Sequence, residues 1–280
     1  MKILITGAKG MLGSDLMKVL SRNYQTVGID KEDGDITKKD EIIKVISDAN
    51  PSLVIHTAAY TDVDGCEGDP DLAYKVNVIG TQNICLACQK VGAAVMYLST
   101  DFVFDGNKKT PYIEFDQPNP INIYGKSKLA GEQYVQSLLH KFFVVRTAWL
   151  FGKKGKSFVK TILKLAKRKK ELKIVNDQIG SPTHTLDLIH QLIPLLNTDS
   201  YGIYHITNKG SCSWYEFAQE ILKCGKIKEV EIKPIFSYQL NRPAKRPAFS
   251  VLRNYCLELT VGDTMRSWED ALKRYMGSKA

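Results

Sequence analysis

The sequence lacks a long hydrophobic run and a cysteine framework. Nothing in it approaches the roughly 18 consecutive apolar residues of a membrane-spanning helix, and the N-terminus leads from Lys2 straight into a strand pattern. The six cysteines follow no regular spacing, which is typical of reduced thiols rather than of a disulfide scaffold. These absences predict a cytoplasmic protein with no membrane partner.

Repeats, low-complexity tracts and metal-ligand clusters are also missing. Cys85 and Cys88 have zinc-like or thioredoxin-like spacing, but they lie in an apolar helical stretch without a second ligand pair. His184 and His190 have helical spacing but no cluster of carboxylates, and His56 falls in a predicted strand, where core histidines outnumber ligands. We therefore expect packed cysteines and no required catalytic metal.

Positive charge is in excess. The formal net charge is +9, and residues 167–170 form a continuous cationic run. No aromatic residues interleave with this run, as they would in many nucleic-acid-binding segments. We expect a solvated helix end and no nucleic-acid partner, while attraction of a phosphate-bearing small molecule stays open.

The residues that are present predict an α/β protein. With 44% hydrophobic and 25% charged residues in a chain of 280, there is ample material for a core. Short apolar runs, rich in residues that favour strands, alternate with amphipathic segments, as in a parallel sheet with crossover helices. Thr37 with Asp40 also has the pattern of a helix-capping box. The predicted strands span residues 3–6, 26–29, 53–57, 94–99 and 142–147.

A three-glycine loop follows the first predicted strand and precedes the first helix. It reads Gly-Ala-Lys-Gly-Met-Leu-Gly over residues 7–13. Gly7 permits a tight turn, Gly10 allows backbone approach to a pyrophosphate, and Gly13 allows close helix packing, while a helix N-terminus favours phosphate charge. The spacing is GxxGxxG rather than GxGxxG, so the loop by itself is a modest signal for dinucleotide binding.

Carboxylates at two later positions support that interpretation. Asp30 ends the second predicted strand, where a carboxylate can bind an adenosine ribose, and Asp35 with Ile36 lies where such folds contact adenine. Asp30 would repel a 2′-phosphate and favour NADH, whereas Lys9 and Lys31 could attract one. The expected cofactor is therefore NADPH or NADH, with the preference open.

The chain divides into two predicted parts. Residues 1–150 are predicted to form a dinucleotide-binding domain with a doubly wound, Rossmann-type parallel sheet. Residues 151–280 are predicted to form mainly a smaller substrate-binding lobe, with some segments returning to the first domain, because prolines interrupt the regular alternation there. The stretch 241–247 cannot be a regular helix, and we expect either an ordered loop or a basic segment that closes over an anion.

A tyrosine and a lysine one helical turn apart are the candidate catalytic pair. Tyr124 and Lys128 open a helical stretch and share a face of it. An ammonium group near a phenol lowers the phenol's pKa, so that the tyrosine can exchange a proton with a carbonyl oxygen. Thr100 follows the fourth predicted strand, at the sheet edge where ligands bind, and its hydroxyl could donate to the same carbonyl.

These motifs together resemble the dTDP-4-dehydrorhamnose reductase family of the extended short-chain dehydrogenase/reductase superfamily. The resemblance extends over nearly the whole chain, because the order and spacing of several further segments fit as well. These segments are residues 56–64, 71–77, 99–106, 146–149, 176–183 and 246–247. One departure is Phe102, where many members have tyrosine; this removes a hydroxyl and keeps the ring.

The resemblance implies a role for each matching residue. Thr100, Tyr124 and Lys128 match the catalytic trio. The implied cofactor-binding residues are Gly7, Lys9, Gly10, Met11, Leu12, Gly13, Asp30, Asp35, Ile36, Ala58, Ala59, Tyr60, Asn77, Ser99, Tyr124 and Lys128. The implied substrate-binding residues are Thr61, Val63, Thr100, Asp101, Phe102, Trp149, Asn176, Gln178 and Arg246.

The activity that the resemblance implies is NAD(P)H-dependent reduction of the 4-keto group of dTDP-4-dehydro-L-rhamnose to dTDP-L-rhamnose. A second hypothesis is another sugar-nucleotide reductase or an epimerase of the same superfamily, because small pocket changes shift substrate choice. A third is a cofactor-binding regulatory subunit that resembles the methionine adenosyltransferase beta subunit. The expected partner is a small dTDP-sugar, and a homodimer is expected only from the general frequency of twofold oligomers.

Overall fold

A six-stranded parallel sheet forms the centre of the molecule. The structure is a computed structural model that describes residues 1–277. The strands are β1 (Lys2–Thr6), β2 (Gln25–Ile29), β3 (Leu53–His56), β4 (Ala94–Thr100), β5 (Phe142–Thr147), β6 (Leu150–Phe151), β7 (Glu171–Val175), β8 (Ile179–Gly180), β9 (Thr183–His184), β10 (Gly202–His205), β11 (Cys212–Ser213) and β12 (Glu231–Ile235). The central sheet has the order β10-β5-β4-β3-β1-β2.

The helices lie between the strands and in the C-terminal part. They are α1 (Met11–Leu20), α2 (Lys39–Ala49), α3 (Val63–Gly68), α4 (Pro70–Tyr74), α5 (Thr81–Val91), α6 (Ile123–Leu138), α7 (Phe158–Ala166), α8 (Thr185–Leu196), α9 (Trp214–Cys224), α10 (Tyr255–Thr260) and α11 (Trp268–Gly277). A π-helix (Lys75–Gly80) joins α4 to α5, and short 3₁₀ turns follow β4 and β12.

The Rossmann-type fold is confirmed. Each predicted strand matches an observed one to within one residue at both ends. Successive side chains of a buried strand point to opposite faces: Ile3 and Ile5 pack with α1 and α8, whereas Leu4 packs with α2 and α5. Helices thus cover both faces of the sheet. Because β2 and β3 flank β1 on opposite sides, the chain reverses direction there, at the position where open α/β sheets bind ligands.

The predicted capping box before α2 is wrong. The residue that caps α2 is Lys38, and no side chain accepts a hydrogen bond from the first turn. Thr37 instead donates both its backbone N–H, at 2.9 Å, and its hydroxyl, at 2.8 Å, to Asp35. A nearby carboxylate offers that hydroxyl a charge-assisted bond, so Asp35 is held rigidly by the turn that precedes the helix.

A smaller core lies in the C-terminal part. Buried side chains of α7, α9 and α11 pack around Phe217 and Trp268, and β7 pairs with β12 beside them. Two later elements pack with the N-terminal part instead. β10 is the edge strand of the central sheet, and α8 packs against α1 beside that sheet. The division near residue 150 stays a prediction.

The six cysteines are unpaired. Cys85 and Cys88 on α5 are completely buried in the core, and burial raises the pKa of the Cys85 thiol to about 12. The expectation that they pack as apolar side chains is confirmed. Within residues 1–277, no helix has the length and apolar character to cross a bilayer.

Candidate active site

The glycine loop is built for close backbone approach. Gly7 has a positive φ of 67°, a conformation that favours glycine. A Cβ atom at Gly13 would lie 2.1 Å from the carbonyl oxygen of Gly7, and one at Gly10 would lie 3.0 Å from the same atom. The loop can therefore pass over β1 and start α1 only with glycine at positions 7 and 13, whereas a Cβ at position 10 would require its neighbour to shift by a few tenths of an ångström.

Asp30 is tied to this loop. Its Oδ2 atom accepts a hydrogen bond of 2.6 Å from the backbone N–H of Lys9, and the side chain of Lys9 forms an exposed ion pair with Glu32 at 2.9 Å. The carboxylate at the end of β2 is thereby held against the glycine loop. The ammonium group of Lys9 is directed to Glu32, so it contributes to the loop through its backbone.

The glycine loop opens onto the main cleft, which has a volume of about 790 Å³. The cleft follows the carboxyl ends of the central strands. Most of the predicted site residues lie in its wall, from the cofactor and the substrate sets alike. They are Gly7, Gly10, Met11, Leu12, Gly13, Asp30, Asp35, Ile36, Ala58, Ala59, Thr61, Val63, Ser99, Thr100, Asp101, Phe102, Tyr124, Lys128 and Trp149.

Thr100 and Asp101 form a buried polar pair at the end of β4. The Thr100 hydroxyl donates to Asp101 Oδ1 at 3.1 Å and accepts from the backbone N–H of Phe102 at 3.2 Å. Ser250 donates to the other Asp101 oxygen at 2.6 Å. Burial raises the pKa of Asp101 to about 6. This network fixes the Thr100 hydroxyl at the cleft wall.

Tyr124 lies in the first turn of α6, opposite Thr100. Its ring meets the ring of Phe102 edge-on at 5.9 Å, and Asn122 caps the helix by accepting from Gly125 at 2.8 Å. Burial raises the pKa of Tyr124 above its ordinary value; Asp101 acts in the same direction, and hydrogen bonding with Thr100 opposes it. The predicted lowering is therefore wrong in direction: desolvation dominates the shift, and the phenol keeps its proton at neutral pH.

Lys128 is almost completely buried one turn further along α6. Its Nζ atom lies 4.0 Å from the centre of the Tyr97 ring, an arrangement that stabilises a cation. Burial lowers the pKa of Lys128 to about 7, and the negative charge of Glu132 opposes that shift. Protonation of Lys128 is thus sensitive to pH in the neutral range.

Glu132 is itself part of a buried ion pair. Arg146 on β5 donates to Glu132 through Nε at 3.0 Å and Nη2 at 2.7 Å, and Ser99 donates to the same carboxylate. Both charged side chains are at most 2% exposed. The pair joins the catalytic face of α6 to β4 and β5.

A second cavity of about 380 Å³ adjoins the main cleft. Val63, Phe102, Trp149 and Trp214 line both spaces. The second cavity also carries cationic and polar side chains from the C-terminal part, namely Lys173, Gln178, Arg242 and Arg246. It therefore suits the anionic end of a ligand whose other end lies in the main cleft.

Arg246 has a carboxylate partner in this structure. Its Nη1 and Nη2 atoms each lie 2.9 Å from an oxygen of Asp64, and the backbone N–H of Ala244 donates to Asp64 at 3.2 Å. The pair fastens the basic segment 241–247 to α3. Within that segment, Arg242 is the second arginine that lines the cavity.

Four predicted residues lie outside the walls of both cavities and contact neighbouring residues instead, namely Lys9, Tyr60, Asn77 and Asn176. The Asn77 side chain accepts from the Tyr60 N–H at 2.8 Å and donates to its carbonyl at 3.0 Å. Asn176 accepts from the Ser213 hydroxyl at 2.8 Å. Lys9, as described above, pairs with Glu32. These contacts position the loop after β3 and the start of α9.

Several residues of the site were not singled out by sequence reasoning. Trp214 stands between the two cavities, and Lys173 and Arg242 line the second one. The basic segment 241–247 gave a signal for Arg242. Trp214 and Lys173 have no motif of their own, because they reach the site from α9 and β7 through the folding of the C-terminal part. Within residues 1–277, no group of three or more His, Cys, Asp or Glu side chains could hold a metal ion.

The fold and this constellation define a Rossmann-type protein of the extended short-chain dehydrogenase/reductase superfamily. The family described as the RmlD substrate binding domain matches residues 1–279, and the chain belongs to that family.

The chain is similar along its whole length to solved and curated relatives. The dTDP-4-dehydrorhamnose reductase from Clostridium acetobutylicum is 48% identical, with a TM-score of 0.96 over 99% of this chain and 98% of that one. The enzyme of the same name from Bacillus anthracis, in complex with NADP, is 44% identical, with a TM-score of 0.97 over 99% of each chain. The spore coat polysaccharide biosynthesis protein SpsK of Bacillus subtilis is 38% identical and covers 100% of this chain and 98% of its own.

Replacing Gly13 by alanine is expected to weaken NADPH and NADH binding at least tenfold. The added methyl group would lie 2.1 Å from the Gly7 carbonyl oxygen, so the phosphate-facing backbone would have to move. Quenching of protein fluorescence by the reduced cofactor measures the Kd. Gly68→Ala is the matched control, because nothing lies within 4 Å of a Cβ there. Equal affinities of the two variants would contradict the assigned role of the loop.

Proposed function

We propose that this protein is an NAD(P)H-dependent reductase that converts the 4-keto group of dTDP-4-dehydro-L-rhamnose to the hydroxyl of dTDP-L-rhamnose. The observation that carries the proposal is the meeting of three features in one cleft. The glycine loop, the Thr100–Tyr124–Lys128 trio and the mouth of a basic second cavity line the same space. The names of the similar proteins support the same reaction.

The cleft residues fit a nicotinamide dinucleotide. The backbone of residues 7–13 would hold the pyrophosphate, Asp30 the adenosine ribose, and Asp35 with Ile36 the adenine. Lys31 also lines the cleft and is available to a 2′-phosphate, so both NADPH and NADH are candidates. When bound, the reduced nicotinamide supplies the hydride for the carbonyl carbon.

Tyr124 acts as the proton donor. Because its pKa is raised, the hydroxyl is protonated at neutral pH and can pass its proton to the oxygen that develops negative charge. Thr100 donates a hydrogen bond to the same oxygen after it releases Asp101. The ammonium form of Lys128, next on the face of α6, stabilises the phenolate that Tyr124 leaves behind.

The second cavity receives the nucleoside diphosphate. Lys173 and Arg242 bring positive charge to its wall, and guanidinium and ammonium groups are suited to phosphate oxygens. Arg246 holds the segment in place through its ion pair with Asp64 and lines the same cavity. The sugar then reaches through the shared boundary toward Tyr124.

The proposal is tested by the absorbance of reduced nicotinamide, with NADPH and NADH assayed in parallel against enzymatically prepared dTDP-4-dehydro-L-rhamnose. We expect one reduced cofactor to be consumed for each dTDP-L-rhamnose formed. An epimerase would interconvert sugars without net consumption, and a regulatory subunit would bind cofactor without turnover. Either of those results would refute the proposed reaction.

The distribution of charge supports an anionic ligand. Between residues 153 and 173 there are ten lysine and arginine residues and one glutamate, a difference equal to the net charge of +9 of the whole chain. This segment lies at the cavities: Phe158 and Lys173 line the second one, and a Cβ atom at Gly155 would lie 3.4 Å from Met11 in the glycine loop. We infer that it attracts the phosphate-bearing substrate and cofactor.

Neutralising residues 167–170 with glutamine is expected to lower kcat/KM about tenfold at low ionic strength. The difference should shrink as salt screens the field, and kcat should stay unchanged, because these side chains do not reach the reacting atoms. The matched control replaces four exposed lysines elsewhere, Lys39, Lys44, Lys90 and Lys141, by glutamine. The same loss in both variants would point to net charge alone and would argue against local attraction by the segment.

A further inference from the structure

The boundary between the two cavities is an apolar ring of four side chains. Val63, Phe102, Trp149 and Trp214, together called the collar, line both the main cleft and the second cavity. Phe102 has no hydroxyl, so that position adds no polar group. The collar therefore offers a ligand an apolar contact surface between the two cavities.

Trp149 and Trp214 form a rigid pair within the collar. Their ring centres are 3.4 Å apart and the planes are 6° from parallel. Trp149 has a positive φ of 45°, a strained conformation for a bulky residue. A Cβ atom at Gly180 would lie 2.5 Å from its ring, so glycine is required there. Trp149 is thus enclosed between Gly180 and Trp214.

Trp214 is fixed as firmly as Trp149. It is the first residue of α9, directly after Ser213, which forms a capping box with Glu216. Ser213 also donates to Asn176 at 2.8 Å and pairs with Ile179 across β11 and β8. The Phe158 ring lies 4.5 Å from the Trp214 ring. Trp214 is consequently a preorganised part of the site wall rather than a mobile side chain.

The position of the collar determines which part of the sugar it meets. In the proposed function, on which this inference rests, the keto group lies at Tyr124 and the diphosphate lies near Arg242 and Lys173. The sugar ring between them must cross the collar. The C6 methyl is the wholly apolar substituent of that ring and suits the collar, whereas a hydroxymethyl group there would lose hydrogen bonds to water.

We propose that Trp214 is a specificity-determining residue that, together with Trp149, packs against the methyl-bearing edge of the substrate and selects 6-deoxy sugars over 6-hydroxy sugars. Trp149 owes its orientation to Trp214. Loss of the Trp214 ring therefore opens the collar in two ways: it removes one wall and it frees the ring of Trp149. An apolar pocket of this kind discriminates against an added hydroxyl by about 10²-fold.

The test compares the affinities of dTDP-L-rhamnose and chemically synthesised dTDP-L-mannose, its 6-hydroxy counterpart, by isothermal titration calorimetry. We expect the unaltered protein to prefer dTDP-L-rhamnose by about 10²-fold, and Trp214→Ala to lose at least tenfold of that preference. The NADPH Kd should stay within about twofold, because the glycine loop and Asp30 provide most of the cofactor contacts. Trp268→Phe, the third tryptophan of the chain, is the matched control and should keep the full preference.

A second measurement needs no substitution of Trp214. Nuclear Overhauser effects between the C6 methyl protons of bound dTDP-L-rhamnose and the indole protons of Trp214 are expected, with Trp268→Phe simplifying the assignment. Their absence overturns the inference, as does Trp214→Ala that binds with unchanged preference. If the unaltered protein binds no dTDP-L-rhamnose, the proposed function fails and this inference with it. Binding with an unaffected preference in Trp214→Ala refutes this inference alone.

Discussion

Tyr124→Phe is expected to lower kcat by about 10²- to 10⁴-fold, the usual contribution of a positioned general acid. Phenylalanine keeps the ring and its edge-on contact with Phe102 but has no proton to donate. Because burial raises the pKa of Tyr124, the hydroxyl of the unaltered protein is protonated across the neutral range, and its removal takes away a donor that is present in nearly every molecule. Absorbance of the reduced cofactor under saturating substrate measures the loss.

Tyr134→Phe, on the same helix, is the control and should retain full activity. The NADPH Kd of Tyr124→Phe should change little, since the glycine loop and Asp30 are proposed to make most of the cofactor contacts. If Tyr124→Phe keeps most of its activity at neutral pH, the proton comes from elsewhere, and Tyr124 is not the acid. A parallel loss of cofactor binding would also argue against Tyr124 as a dedicated proton donor.

Glu132→Ala is expected to lower the free energy of unfolding by about 3–5 kcal/mol, the cost of leaving one charge of a buried pair without its partner. Arg146 is 2% exposed and donates twice to Glu132, so water cannot replace the lost carboxylate. Denaturant unfolding followed by circular dichroism measures the change. Glu171→Ala is the control, because the side chains of Glu171 and its partner Lys233 are each more than 40% exposed. Loss of that exposed ion pair should lower the free energy of unfolding far less.

Glu132→Gln tests the electrostatic effect of Glu132 on Lys128. It keeps the size of the side chain and removes the charge that raises the pKa of Lys128. The pKa of Lys128 should then fall further below 7, so the ammonium form is lost at a lower pH. The pH profile of kcat/KM should shift its corresponding limb toward acid. A profile identical to that of the unaltered protein would show that Glu132 has no electrostatic effect on Lys128.

The strands and the glycine loop could be predicted from the sequence because local rules govern them. Buried parallel strands need continuous apolar runs, and a turn such as that at Gly7 needs a residue free of a Cβ clash. Tyr124 and Lys128 were found in the same way, because helical spacing alone puts them on one face. For these residues, neighbours in sequence are also neighbours in space.

The residues that sequence reasoning missed depend on long-range packing. Trp214 meets Trp149 only because β11 pairs with β8 and brings the start of α9 to the end of β5. Arg246, expected in the substrate site, lines the second cavity, and it is also paired with Asp64, 182 positions earlier in the chain. The capping box at Thr37 was wrong for a local reason, because the carboxylate of Asp35, two residues earlier, accepts the hydrogen bond of the hydroxyl.

The sequence by itself predicted five strands of the N-terminal part, the glycine loop and the placement of Tyr124 and Lys128 on one helix, because each depends on residue type and on spacing of a few positions. Only the tertiary structure decided how those side chains behave. Burial reversed the expected shift of the Tyr124 pKa and brought that of Lys128 to about 7. The collar likewise exists only where separate parts of the chain meet. Desolvation and packing depend on everything that surrounds a group, and no short stretch of sequence contains that information.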